Sequence, residues 1–218
     1  MTRKERYTKV ASLLAKRFPN AEYELHFDST YQLMVAITLA ARCSDKLVNE
    51  ISPRLFSRFP SVNDLAKANE KDVFDLIKEA TYPESKAKYL IEAAKINVEK
   101  YNGEIPNQSL DLQQLPGIGR KSANTILAEG FHIPAIAVDT HIARVSQRIG
   151  FTASTNPDMI ERDLCLIIPR ENWITDSHRL ILFGRYFCTS KEPKCEECPI
   201  KEVCTTKTPQ EKIENLLF

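Results

Sequence analysis

The chain has 218 residues, 43% hydrophobic and 27% charged, with a formal net charge of +1 at pH 7. That length and composition predict an ordinary soluble protein of one or two domains with a real core, and they exclude a membrane-spanning chain. The longest apolar run, 33–41, falls short of spanning length, is interrupted by Thr38 and stops at Arg42. A near-neutral sum does not by itself mark a nucleic-acid binder, so the distribution of charge has to be read instead.

The start, Met1-Thr2-Arg3-Lys4-Glu5-Arg6, is charged and has no apolar signal core, which argues against secretion and for a cytoplasmic protein. Residues 3–18 read as an amphipathic helix with Val10, Leu13, Leu14 and Phe18 at helical spacing. Ser29 or Thr30 can cap a second helix through Arg42, and Ser44 a third to about Phe59, disturbed at Pro53. Ser61 opens a short helix, and Asn69-Glu70 another to Ala80. A long helix over 84–102 can end in a left-handed cap at Gly103, and Ser109 caps a short helix leading into the turn 115–119. A helix then runs from Arg120 to about Gly130. After the apolar stretch Ala135 to Val138, Asp139 opens a helix that Gly150 closes. Asn156-Pro157 caps a helix ending near Pro169, and a last helix from about Asn172 to Phe187 delivers Cys188. With six glycines and few alternating runs, the chain is expected to be all-α, without repeats or low-complexity segments.

Two basic clusters stand out. Residues 1–17 carry six basic side chains against Glu5, and residues 115–148 carry Arg120, Lys121, Arg144 and Arg148 against Glu129 and Asp139. Both can form local positive surface or simply solvated helix faces.

Three segments carry chemistry. Cys188, Cys195, Cys198 and Cys204 form a C-x6-C-x2-C-x5-C ladder, short enough for four thiolates to share one metal centre. The single CxxC favours a 4Fe–4S cluster over a two-knuckle zinc site, and disulfides rank last in a chain with no sign of secretion. Cys43 and Cys165 read as small buried hydrophobes. Leu115-Pro116-Gly117-Ile118-Gly119 is a tight turn in which glycines can reach positive φ, backbone N–H groups lie open, and Ile118 packs inward. Followed by a helix start and Arg120-Lys121, it suits a phosphate. Lys121 is then either a phosphate contact or an amine nucleophile. Asp139 reads as a helix cap that can also face a developing positive charge, and His141 as a hydrogen-bonding scaffold residue.

Together, the segments Leu115–Asn124, Ala137–Val145 and Gly184-Arg185-Tyr186 running into the cysteine ladder resemble the endonuclease III family of helix-hairpin-helix DNA glycosylases, over essentially the whole length. The resemblance implies an all-α fold of two helical domains flanking a DNA groove. One would span 22–133 and hold the hairpin. The other would join 1–21 to 134–218 and hold a structural 4Fe–4S cluster on Cys188, Cys195, Cys198 and Cys204. It implies a base excision repair enzyme that flips a damaged pyrimidine out of double-stranded DNA, removes it, and cuts the strand by β-elimination. Lys121 maps onto the family's nucleophile and Asp139 onto its catalytic aspartate. The implied DNA contacts are Leu115, Gly117, Ile118, Gly119, Arg120, His141, Lys191 and Lys194, with Glu192 weakening the last pair. The implied partner is DNA with damaged bases or abasic sites, bound by a monomer, with no membrane. Two positions depart from the family. Arg42 stands where glutamine commonly fills the gap left by the flipped base, and Tyr82 where leucine commonly wedges the opposite strand.

Two rival readings remain. The adenine-mismatch glycosylases are similar in fold and cluster, but they lack a lysine at position 121, place a glutamate where this chain has Ala36, and add a C-terminal recognition domain for which nothing remains after Phe218. The other is a non-catalytic iron–sulfur DNA-binding module, which would not need both Lys121 and Asp139.

Overall fold

A computed structural model describes residues 1–206, and among these every regular element is helical. The last twelve residues of the expected 134–218 segment, 207–218, lie outside the described residues. The helices are α1 (Arg3–Arg17), α2 (Thr30–Ala40), α3 (Asp45–Arg58), α4 (Val62–Ala66), α5 (Glu70–Ile77), α6 (Pro83–Tyr101), α7 (Ser109–Leu112), α8 (Arg120–Thr125), α9 (Thr140–Arg148), α10 (Pro157–Ile167) and α11 (Trp173–Tyr186). They form two compact units, one of Met1–Tyr23 with the chain from Pro134 onward, the other Glu24–Ile133.

Side-chain caps set most of the helix starts. Thr2, Ser29, Ser44, Ser61, Asn69, Asp139 and Asn156 each accept a hydrogen bond from a backbone N–H in the first turn, satisfying donors that have no partner within the helix. Thr2 and Ser61 complete the exchange with Glu5 and Asp64. The ends differ from the sequence reading in several places. α2 stops at Ala40 rather than Arg42, because Arg42 takes a left-handed φ of 58° that no α-helix continues through. α5 stops at Ile77 rather than Ala80. Ser109 is the first helical residue of α7, and the cap position falls to Gln108, whose side chain makes no capping bond. Pro53 does not disturb α3. It lies on the exposed face, opposite buried Val48, Ile51 and Leu55. The helix from Arg120 is α-helical to Thr125 and becomes a π-helix over Ile126–Gly130. Ile126, Leu127 and Ala128 of this π segment are buried, as are Ala123, Asn124 and Thr125 of the α-helical part before it.

In the 24–133 unit α2 is the central element. Tyr31 and every residue from Leu33 to Leu39 are buried, and only Gln32 among them is partly open, so the helix is apolar almost all round, as a helix enclosed by others must be. Helices α3 and α6 and the π segment pack on it. In the other unit the core joins Val10 and Leu14 of α1 to Ile142 and Val145 of α9, Ile160 and Leu164 of α10, and Leu180 and Phe183 of α11. The Tyr7 hydroxyl donates to Asp176 at 2.6 Å. Burial first, and that carboxylate second, push the phenol well above its ordinary range.

Two glycines set close approaches here. A Cβ on Gly184 would lie 2.9 Å from the Cβ of His141, so glycine allows α11 to press against α9. Gly150 has φ +76°, and a Cβ on it would meet Thr205 Cγ2 at 2.8 Å and Arg6 Nη1 at 2.9 Å. Gly150→Ala is therefore expected to destabilise the fold by about 1–3 kcal/mol, read as a lower denaturation midpoint. An unchanged midpoint would contradict the strain assigned to this turn.

Candidate functional site

The hairpin between α7 and α8 is pinned from below. Leu115 and Ile118 are buried, and the Ile118 N–H donates to the Leu115 carbonyl at 3.0 Å. Gly117 is exposed with φ +81°, and a Cβ there would press on Tyr89 and Thr38 at 3.3 and 3.5 Å. Gly119 is different from the sequence expectation. It is extended (φ −89°, ψ −179°), a backbone any residue adopts, and space around it is open. Only the first glycine of the pair is required by conformation. Gly119 is the N-cap of α8 and contributes no side-chain cap, so the amide groups that open the helix face outward beside exposed Arg120 and Lys121. The Lys121 side chain has no hydrogen-bond partner among the described residues, while its carbonyl accepts from the Thr125 hydroxyl at 3.0 Å.

Asp139, half-buried in the other unit, is the N-cap of α9. Its Oδ1 accepts the Ile142 N–H at 2.7 Å, and its second oxygen has no hydrogen-bond partner among the described residues. One turn on, His141 Nδ1 lies 3.2 Å from Arg144 Nη2.

Arg144 and Arg148 do not add to a positive surface; both are buried. Arg144 donates to the carbonyls of Cys188 (3.0 Å) and Gly184 (2.9 Å). Arg148 donates to those of Thr189 (2.7 Å) and Ser190 (3.0 Å), and its own carbonyl accepts from Thr205 Oγ1 and the Thr206 N–H. The two arginines are consumed in shaping both ends of the cysteine ladder. Arg3 and Arg6 of the N-terminal cluster are likewise committed, to Asp163 and the Gly150 carbonyl.

Of the ladder cysteines, Cys188, Cys195 and Cys204 are buried and Cys198 is half-buried; none is in a disulfide. Arg148 Nη1 approaches Cys188 Sγ at 3.5 Å. Four thiolates around one zinc lie ~2.3 Å from it and crowd one another. Among the described residues no three His, Cys, Asp or Glu side chains gather in that way. Three buried thiols and one half-buried thiol are a donor set of the kind that a polynuclear iron–sulfur centre uses, in which each thiolate binds a different iron. Lys191, Glu192 and Lys194 are exposed on the loop between Cys188 and Cys195.

Arg42 and Tyr82, the two departures, meet in the structure. Both are left-handed (φ 58° and 55°), a conformation costing a non-glycine residue about 1–2 kcal/mol. The Arg42 guanidinium lies 5.9 Å from the Tyr82 ring centre, and its Nη1 is 3.4 Å from the Tyr82 hydroxyl. They border an open cavity of about 300 Å³ whose walls include Thr38, Lys86, Tyr89 and Gly117, so the hairpin and this pair share one concave surface. The sequence reading missed Lys86 and Tyr89. Their three-residue spacing, which puts both on one face of α6 just after Tyr82, is the available signal.

Cys43 and Cys165 are half-buried rather than buried. Burial pushes the Cys43 thiol up, but hydrogen bonds from Thr81 and Lys86 outweigh it and hold the thiol below its ordinary value. A small hydrophobe would not have been placed beside two donors.

Residues 35–170 match the family model of the HhH-GPD superfamily base excision DNA repair proteins. The chain is 39% identical over 204 residues to an endonuclease III of Synechocystis sp., covering 93% of each protein. It is also similar to a trapped endonuclease III–DNA covalent intermediate in an estranged-adenine complex (TM-score 0.90, 36% identity, 95% of this chain and 98% of that one). A non-covalent endonuclease III–DNA complex matches with TM-score 0.91 and 35% identity, over 98% of this chain and 100% of the other.

Proposed function

The chain belongs to the HhH-GPD superfamily and, within it, to the endonuclease III family of DNA glycosylases with abasic-site lyase activity, and from that premise we propose that Lys121 and Asp139 carry its chemistry on oxidised pyrimidines in double-stranded DNA. The observation that carries the proposal is the exposed, unpartnered Lys121 amine at the first turn of α8, directly after a hairpin whose backbone N–H groups face outward.

In the proposed reaction the hairpin amides of 117–119 and Arg120 hold the DNA backbone by its phosphates, which fixes register without reading sequence. Leu115 and Ile118 contribute as the buried anchors of that turn, and His141 by orienting the start of α9. The damaged base is extruded, and Arg42 and Tyr82 face the gap and the opposite strand. The neutral Lys121 amine attacks the anomeric carbon C1′ and the C1′–N bond to the base breaks, its electron pair leaving with the base. The role carried over to Asp139 from the family is to stabilise positive charge on the sugar or to take up the proton released by the attacking amine. Ring opening gives a Schiff base between Lys121 and C1′. That iminium acidifies a hydrogen on C2′, and its loss expels the 3′ phosphate oxygen, cutting the strand.

Cys188, Cys195, Cys198 and Cys204 would hold a 4Fe–4S cluster, which would supply folding energy to their loop rather than a reaction step. Lys191 and Lys194 on that loop would serve as phosphate contacts. The protein is expected to be brown, with broad visible absorbance and about four irons per chain. Colourless protein holding one zinc would contradict this assignment. The enzyme acts as a monomer in the cytoplasm, associated with DNA; among the described residues no helix is long and apolar enough to cross a membrane.

The adenine-mismatch reading finds no support at Ala36, which is wholly buried inside α2 and offers no carboxylate. A panel of duplexes, each with one defined lesion and opposite base, tests the proposal. Release of oxidised pyrimidines with strand cutting supports it. Release of adenine alone, or no base release at all, overturns it.

A further inference from the structure

We infer that Lys86, helped by Thr81, is a positioning residue for the known reaction: it holds the turn that presents Arg42 against Tyr82 and thereby sets the enzyme's preference for the base opposite the lesion. The inference rests on the reading of Arg42 and Tyr82 as DNA-facing residues.

Lys86 is 4% exposed, an unusual place for an ammonium group. Among the described residues it has no carboxylate partner. Its three donors are instead matched to three acceptors at the end of α2: the carbonyls of Leu39 and Ala41, each at 2.7 Å, and Cys43 Sγ at 3.3 Å. These groups bracket Arg42 on both sides. A helix C-terminus presents unsatisfied carbonyls and negative potential, so a buried cation is stable there without a counter-ion. Thr81 closes the same turn from the other side. Its hydroxyl donates to the Arg42 carbonyl at 3.0 Å, and its N–H donates to Cys43 Sγ at 3.2 Å.

The clamp has something to hold. Arg42 is in a strained left-handed conformation, which persists only where the surroundings over-determine it. Tyr82, also left-handed, directly follows Thr81 and precedes Pro83. One clamp therefore fixes both residues from the side remote from their exposed tips, and aligns the guanidinium over the ring. Lys86 lies at the wall of the cavity, yet its ammonium is occupied by the turn, which assigns it to positioning rather than to contact with DNA.

The test uses the intact holoenzyme with duplexes bearing thymine glycol opposite adenine or guanine, and with a preformed abasic site. Single-turnover base release is measured for Lys86→Met, Arg42→Ala and the double variant. Lys86→Met is expected to move the adenine-to-guanine rate ratio about as far as Arg42→Ala does, and to change it less than about twofold further in the Arg42→Ala background, as coupled residues require. Cleavage of the preformed abasic site should fall less than about threefold in Lys86→Met. Additive shifts, or equal losses on every substrate, would show that Lys86 serves stability alone and would overturn the inference. Thr81→Val, at an exposed position, keeps the test open should Lys86→Met not fold: it must shift the same ratio in the same direction, and an unmoved ratio counts against the clamp. If Arg42→Ala itself leaves the ratio unchanged, the DNA-facing reading fails and the inference with it. If Arg42→Ala moves the ratio and neither clamp variant does, the inference alone fails.

Discussion

Replacing Lys121 with glutamine is expected to abolish both strand cutting and the covalent adduct that borohydride traps on abasic DNA. Glutamine keeps the length and polarity of the side chain but has no nucleophilic amine, so no Schiff base can form and β-elimination loses its electron sink. Duplex binding should fall only modestly, because Arg120 and the hairpin amides remain. Stability should stay within about 0.5 kcal/mol of the parent, as for an exposed side chain without a structural partner. Gel detection of the reduced adduct, alongside a binding isotherm and a melting curve, checks all three. An undiminished adduct would move the nucleophile to another amine.

Asp139→Asn should lower turnover by about a hundredfold or more, the scale of a lost electrostatic stabiliser at a developing charge. The fold should not notice the change. The amide oxygen of asparagine can accept the Ile142 N–H that Oδ1 accepts now, and asparagine caps helices about as well as aspartate. Asp139→Ala should lose activity similarly and also about 1 kcal/mol of stability, through the lost cap. Comparing the two by single-turnover kinetics and denaturant unfolding separates the carboxylate's two roles. Near-normal turnover in Asp139→Asn would leave the residue as a cap and nothing more.

Local rules made much of the fold legible before the structure. Ser29, Ser44, Ser61, Asn69, Asp139 and Asn156 cap where their positions indicated, because a short polar side chain before an apolar run satisfies the same orphan N–H groups in any context. What escaped was decided by tertiary surroundings. The left-handed turns at Arg42 and Tyr82 carry no glycine to announce them; the one at Arg42 is held by Lys86 and Thr81, some forty residues on, which bond to the chain there. The π segment after Thr125 left no mark in the periodicity, since six consecutive residues, Ala123 to Ala128, are buried across both the α and the π winding. Charge counting put Arg144 and Arg148 on the surface, but both are buried in the carbonyls around the cysteine ladder. Hairpin glycines that look alike in sequence also divide, since only Gly117 needs its positive φ.

The account turns on one bond, between the Lys121 amine and C1′ of the damaged nucleotide. The wild-type holoenzyme can be incubated with a duplex holding a single thymine glycol in the presence of borohydride, and the cross-linked peptide identified by mass spectrometry. The account predicts one adduct, on Lys121, formed together with base release, and a cut 3′ to the lesion in the parallel reaction without borohydride. Base release without an adduct, or an adduct on any other amine, would contradict it.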